Sequence, residues 1–312
     1  MKNYDRADVA RALDYPSLID ALDAAFRAET ESPQRASHRI QRADGEQGTL
    51  LLMPAWRTDG DIGVKLVTVF PANARRGLGA VQASYMLLDG DTGVPRAMLD
   101  GDELTLRRTG AASALAARYL AREDAKTFLM IGAGNLAPHL IRAHAAARDY
   151  ERVLVWARRT AAADALVEQV SDVAGSVDSV TDLASAVASA DVISSATLSD
   201  EPLILGQWLR DGQHVDLVGA FTPEMREADA ETLQRARVFV DTRDGALAEA
   251  GDIIQAINEG SMEPGDVEGE LAELVAGKTP GRLDDADLTV FKSVGAALED
   301  LCAAQLVVGS EV

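Results

Sequence analysis

The segment Thr127-Phe-Leu-Met-Ile-Gly-Ala-Gly-Asn-Leu-Ala137 constrains the fold of this chain more than any other. Phe128 to Ile131 reads as a buried parallel strand, because four consecutive apolar residues leave no face for solvent. It runs into Gly132-x-Gly134-x-x-Ala137 and then a helical pattern from Leu136 to about Arg148. In that order Gly132 permits a tight turn, Gly134 lets a pyrophosphate approach the backbone, and Ala137 lets the helix pack close to the strand. The helix N-terminus offers N–H groups and a positive dipole end to phosphates. Pro138 suits the first helical turn, where its missing N–H is not needed. The loop residues Gly132, Gly134, Asn135 and Leu136 are therefore candidate cofactor contacts.

The rest of the chain supports a two-domain reading. Asp8 to Ala28 is an amphipathic helical segment whose main helix starts at Pro16. From Ser37 to Leu99 the texture is β: Ser37–Gln41, Thr49–Met53, Ile62–Phe70, then Ala80–Leu88 and Pro95–Leu99 joined by an Asp89-Gly90 hairpin turn. Ala111–Leu120 is an alanine-rich helix, and Arg122–Lys126 a polar connection. After the glycine loop, the apolar runs Arg152–Trp156, Val192–Ser195, His214–Val218 and Val238–Val240 alternate with helical stretches such as Ala161–Val173 and Asp182–Ser189. That alternation predicts a doubly wound parallel sheet, an α/β fold. Leu288–Phe291 adds a strand, and Lys292 opens a terminal helix. The acidic segment Gly260–Thr279 reads as a surface excursion. The domain division is expected as 1–118 plus 293–312, and 119–292.

Composition excludes several classes of function. The chain has 312 residues, 47% of them hydrophobic and 26% charged, with no apolar run of transmembrane length. Its N-terminus lacks an apolar signal core, and one cysteine, Cys302, allows no intrachain disulfide, so a cytoplasmic protein is expected. Cys302 itself reads as a buried small apolar residue. A formal net charge of −20 repels nucleic acid and anionic membranes, and neither is expected as a partner. An anionic substrate then needs a local basic pocket. Four scattered histidines and one cysteine form no metal motif, and no Gly-x-Ser-x-Gly elbow supports a hydrolase.

Two stretches bear on the cofactor. In dinucleotide folds an acid at the end of the second strand selects the free ribose 2′-hydroxyl. Here that end reads Trp156-Ala-Arg-Arg-Thr160, so Arg158, Arg159 and Thr160 favour a 2′-phosphate and NADP. Stacking of adenine on arginine leaves NAD open. Ser194 to Thr197 places small residues at the carboxyl end of the fourth strand, making Ala196 and Thr197, with Val218 after the next strand, further cofactor candidates.

The informative side chains elsewhere are cations in apolar surroundings. Lys65 sits within Ile62-Gly-Val-Lys-Leu-Val-Thr-Val-Phe70, as a site residue or as an edge-strand lysine in solvent. Arg108, in Leu106-Arg-Arg-Thr-Gly-Ala-Ala-Ser113, reads as lying at a helix start, where free N–H groups add to its hold on a carboxylate. Arg39, on a short strand, reads by itself as exposed.

Together these stretches resemble the ornithine cyclodeaminase/μ-crystallin family. The matching pieces are Met53-Pro54, Gly63-Val-Lys-Leu-Val with Phe70-Pro-x-Asn73, Thr105-x-x-Arg-Thr-Gly-Ala-Ala-Ser113, the Gly132 loop, Val218-Gly-Ala220 with Pro223, and Lys292-Ser-Val-Gly295. They span nearly the whole chain in the family's order. The resemblance implies a Rossmann domain inserted into an α+β domain that binds substrate and makes a homodimer. It also implies that Arg39, Lys65 and Arg108 surround a substrate carboxylate and its reacting nitrogen, with Met53, Phe221, Thr222 and Ser293 as substrate contacts. Thr222 and Ser293 read equally as turn or helix-cap hydroxyls.

One departure separates activities within the resemblance. Cyclodeaminases of the family carry an aspartate where this chain has Phe221, in Gly219-Ala-Phe-Thr-Pro-Glu-Met-Arg-Glu227. The Phe-Thr-Pro-x-Met-Arg-Glu form is similar to that of members described as Δ1-pyrroline-2-carboxylate reductases. The expected activity is therefore NAD(P)H-dependent reduction of a small α-imino acid, first of all Δ1-pyrroline-2-carboxylate to proline. The alternatives are an open-chain imine reductase or amino-acid dehydrogenase (iminosuccinate or alanine type), ornithine cyclodeaminase, a dehydratase or racemase-like activity on hydroxyproline, and a small-ligand binding protein like μ-crystallin.

Overall fold

The computed structural model describes residues 1–28, 30–43 and 45–310. The chain divides into two units, Met1–Arg108 with Ala296–Val312, and Thr109–Gly295.

The first unit is built on a six-stranded sheet. Strand β1 (Lys2–Tyr4) is followed by helices α1 (Arg6–Ala12) and α2 (Tyr15–Arg27). The amphipathic segment read from Asp8 to Ala28 falls in two helices, because Leu13 and Asp14 leave the helix and the Asp14 carboxylate caps α2 by accepting from the Ser17 N–H. Pro16 falls in the first turn of α2, as read from the sequence. Strands β2 (Ala36–Gln41), β3 (Gln47–Trp56), β4 (Ile62–Val69), β5 (Val81–Leu88) and β6 (Pro95–Asp100) then form an antiparallel meander. The order across the sheet is β1-β6-β5-β4-β3-β2, with β1 parallel to β6. The sheet's strict alternation buries Met53, Ala55, Val67, Tyr85, Leu87, Ala97 and Leu99 on one face, where the helices pack.

Helix α3 (Gly101–Leu120) follows β6 directly. It begins ten residues before the alanine-rich run, because the Asp100 carboxylate accepts from the Glu103 N–H and starts the helix at once. Arg108 therefore lies inside a helix whose amides are already used, and the predicted helix start at Arg108 is corrected.

The second unit is an eight-stranded, all-parallel sheet, as the strand and helix alternation predicted. Its elements run β7 (Thr127–Ile131), α4 (Ala137–Ala147), β8 (Arg152–Trp156), α5 (Thr160–Gln169), β9 (Ser176–Ser179), α6 (Leu183–Ser189), β10 (Val192–Ser195), β11 (His214–Leu217), α7 (Ala230–Arg235), β12 (Arg237–Val240), α8 (Arg243–Glu249), α9 (Gly251–Asn258), β13 (Val267–Glu270), α10 (Leu271–Val275) and β14 (Thr289–Lys292). The order β13-β12-β14-β11-β10-β7-β8-β9 makes β7 the switch point, since the chain winds outward to β9 and then returns to β10 on the other side. Both faces are covered, so alternate residues of one strand serve separate cores: Phe128 and Met130 on one face, Leu129 and Ile131 on the other.

Gly260–Thr279 is not the excursion that its acidity predicted. It contributes edge strand β13 and helix α10, anchored by buried Val267, Leu271, Leu274 and Val275. Lys292, predicted to open the terminal helix, is the last residue of β14, and helix α11 (Ala297–Gly309) starts five residues later than predicted and belongs to the first unit.

Candidate functional site

In the second unit the glycine loop opens on a cavity of about 450 Å³ at the carboxyl ends of β7, β8 and β10. Gly132 holds φ at +110°, a conformation that side chains other than glycine's rarely adopt, and a Cβ there would press on the Ala196 carbonyl. A Cβ on Gly134 would meet nothing within 4 Å, so this backbone faces open space. Among the described residues no backbone carbonyl accepts from the N–H groups of Gly134, Asn135 or Leu136 at the head of α4. Open amides at a helix N-terminus beside a cavity of this size fit a pyrophosphate.

Gly132, Gly134, Arg158, Arg159, Ala196 and Thr197 line this one cavity together, with Trp156. Arg158 and Arg159 are exposed, and neither forms an ion pair among the described residues. Asp200, beyond β10, is the acid in the wall. Thr160 begins α5, and Asn135, Leu136 and buried Val218 stand outside the lining.

In the first unit the sheet and two helices bring four charges into the interior. Lys65 is only 2% exposed and lies on β4 in the middle of its sheet, which overturns the edge-strand reading. Its Nζ is 2.9 and 2.8 Å from the two oxygens of Asp300 on α11, with Thr105 Oγ1 at 3.4 Å. Arg108 Nη1 donates to Glu299, and its Nε is 3.0 Å from Asp300. All four are buried. Burial, aided by the Arg108 charge, lowers the Lys65 pKa from 10.5 to about 8, while Asp300 works to keep the proton on. Met53 is the cross-strand partner of Lys65. Arg39 shares the sheet face with Lys65 through Thr49 and Val69 but is exposed, about 13 Å further along the strand direction at 3.3 Å per residue.

Phe221, Thr222 and Ser293 lie in the second unit. Phe221 is 45% exposed in the loop after β11, Thr222 is half-buried there, and Ser293 is buried just past β14. Ser293 does not cap a helix: its N–H donates to the Leu217 carbonyl, and Asp241 accepts from the next two amides, Val294 and Gly295.

Sequence reasoning assigned no role to Glu299 and Asp300, or to the buried trio Glu227, Asp252 and Lys292 of the second unit. Glu227 Oε1 accepts from Ser195 Oγ, Thr197 N and Thr197 Oγ1 at 2.6, 2.7 and 2.8 Å, and Oε2 from Gly219 N at 2.6 Å. Asp252 accepts from the Glu227 and Ala228 amides and lies 3.1 Å from Lys292 Nζ. Burial pushes the Glu227 pKa up, and the Lys292 charge opposes it. The signal that flagged Lys65, a charge inside an apolar run, is present at Lys292 and at Asp300 as well.

A doubly wound parallel sheet with a glycine-loop cavity at its switch point defines the dinucleotide-fold class of proteins. The profile of the ornithine cyclodeaminase/mu-crystallin family matches residues 3–311, and the chain belongs to this family. The Δ1-pyrroline-2-carboxylate reductase of Paracoccus denitrificans is 41% identical over 261 residues, 83% of each chain. The structure of Thermococcus litoralis Δ1-pyrroline-2-carboxylate reductase in complex with NADH and L-proline superimposes with a TM-score of 0.92 at 35% identity, covering 98% of this chain and 96% of that one. An archaeal alanine dehydrogenase dimer with bound NAD reaches 0.92 at 29% identity, over 100% and 97%.

Proposed function

We propose that the protein is an NAD(P)H-dependent reductase of a small α-imino acid, with Δ1-pyrroline-2-carboxylate as the first choice and proline as its product. The observation that carries this reading is the buried Lys65–Asp300–Arg108–Glu299 cluster, in a chain whose relatives include reductases of that name. Its two cations and two carboxylates are formally neutral. An α-imino acid with a protonated nitrogen is a zwitterion, and adds no net charge to a buried site. An apolar ligand of the μ-crystallin kind would leave these charges buried without gain.

Arg108 is assigned to the substrate carboxylate, with Arg39 as an outer contact and Met53, Phe221, Thr222 and Ser293 as further substrate contacts. Lys65 is assigned to protonate the imine nitrogen or keep it cationic, which makes the neighbouring carbon a better hydride acceptor. With a pKa near 8 it is mostly protonated at neutral pH yet able to give the proton up. The reduced nicotinamide supplies the hydride when bound. Gly132, Gly134, Asn135 and Leu136 would hold its pyrophosphate, and Ala196, Thr197 and Val218 would border its nicotinamide half. Arg158 and Arg159, which lack a protein carboxylate to neutralise, would take a 2′-phosphate with Thr160 beside them, so NADPH is the preferred form.

The protein is further proposed to be a homodimer through the outer face of the six-stranded sheet. There the rows Pro54–Val64–Met86 and Leu52–Leu66–Ser84 are largely apolar, with Leu66 42% exposed.

The test is a panel of cyclic imines, keto acids with amines, and hydroxyprolines, followed by nicotinamide absorbance with NADPH and NADH. Cyclic α-imino acids should be reduced fastest. Failure to oxidise either cofactor with any imine would overturn the reading.

A further inference from the structure

The buried carboxylate of Glu227 does not line the glycine-loop cavity, yet it holds the backbone that does. Its Oε1 gathers three donors from the end of β10, Ser195 Oγ and both the N–H and Oγ1 of Thr197. Its Oε2 gathers the Gly219 amide at 2.6 Å and the Ala220 amide at 3.4 Å from the end of β11. One side chain therefore ties together the ends of two adjacent strands on the β10 side of the switch point. The join requires glycine at 219, since a Cβ there would overlap both the Thr197 carbonyl oxygen and the Glu227 carboxyl. The clamp is itself anchored. Asp252 accepts from the Glu227 N–H at 2.7 Å, and Lys292 at the end of β14 faces Asp252 at 3.1 Å.

In a doubly wound fold the adenine ribose meets the end of the strand next to the switch point, here β8, with Arg158 and Arg159. The other half of a dinucleotide then belongs on the β10 and β11 side. We propose that Glu227, seated by Asp252 and Lys292, is a positioning residue for the nicotinamide half of the cofactor, acting through Thr197 and Gly219. This rests on the reading that the cavity takes a nicotinamide dinucleotide.

The hydrogen-bond chemistry makes the carboxylate hard to replace. Every contact on its two oxygens comes from a donor, and the backbone amides of Thr197 and Gly219 cannot turn into acceptors. In Glu227→Gln, the new amide must face the Thr197 N–H or the Gly219 N–H, donor against donor, whichever way it is turned. One strand end is released in either case.

The experiment measures binding to the whole chain by calorimetry. NADPH and NADH are compared with adenosine 2′,5′-bisphosphate, which carries the adenine half alone. Glu227→Gln should weaken both dinucleotides by about tenfold or more, the scale of one lost charge-assisted hydrogen bond. Its affinity for adenosine 2′,5′-bisphosphate should not change. Equal losses for the dinucleotides and the fragment would reduce Glu227 to a purely structural role and overturn the proposal, as would no loss at all.

If Glu227→Gln does not fold, Thr197→Val keeps the branched shape and removes one donor. It should weaken the dinucleotides alone, and Thr197→Ser should restore them; an unaltered Thr197→Val would overturn the proposal. If the unsubstituted protein binds neither dinucleotide, it is the underlying functional reading that fails.

Discussion

Lys65 and Asp300, 235 residues apart in the chain, meet inside one unit with the ammonium nitrogen 2.8 and 2.9 Å from the two carboxylate oxygens. The ammonium is desolvated but not abandoned, and its pKa settles near 8 instead of 10.5. Below about pH 8 Lys65 is charged whether the chain is folded or not, and the cost of burying that charge is present in full. Between about 8 and 10.5 only the unfolded chain keeps the proton, so this group's contribution to stability rises with pH across that window.

For catalysis the sign is opposite. Lys65 acts as an acid, so imine reduction should fall as pH rises through about 8. Asp300→Asn removes a group that favours the charged form, and the falling limb should move to lower pH. A limb that stays in place in this variant would detach Lys65 from the proton transfer.

Lys65→Met should lower imine reduction by about a hundredfold to ten-thousandfold, the usual worth of a positioned acid. The dissociation constant for the reduced cofactor should be unaltered, because Lys65 and the glycine-loop cavity belong to different units. Turnover close to that of the unsubstituted protein would end the assignment.

Arg158→Asp should reverse or erase the preference for NADPH over NADH. A charge-assisted pair contributes about 1.5–3 kcal/mol, which corresponds to roughly tenfold to a hundredfold in affinity. Fluorescence titration with both cofactors decides it, and equal dissociation constants in the unsubstituted protein would contradict NADP selectivity.

Phe221 bears on deamination. Cyclodeamination of ornithine must bind a cationic side-chain amine and expel ammonia, and an exposed phenyl ring supplies neither an acid nor a base. The protein should consume one reduced cofactor per proline formed and release no ammonia from ornithine. Ornithine turnover with matching ammonia and no net change in cofactor is the contrary result.

Leu66→Glu places a charge at the centre of the outer sheet face without touching the buried face. If that face joins two copies, light scattering at micromolar concentration should show a dimer for the unsubstituted protein and a monomer for the variant. A monomer in both cases would refute the assembly.

The features readable in the sequence are those whose cause is local. The buried strand Phe128–Ile131, the Gly132 turn and Pro138 at the head of α4 follow from apolar runs and backbone sterics within a dozen residues, and with them the parallel sheet. Where local cues were weak or misleading, tertiary packing prevailed. β13 reads as an acidic loop because its alternate residues Glu268 and Glu270 are polar, but Val267 and Gly269 fit against β12 and make it the sheet's edge. Arg108 reads as a helix start, but the cap is at Asp100, eight residues earlier. What Lys65 does was beyond sequence reading in principle: a lysine between valine and leucine has the same local cues whether it faces solvent or a buried carboxylate. Only the return of the chain at α11, which carries Glu299 and Asp300 back onto β4 and α3, decides its burial, its partners and its pKa.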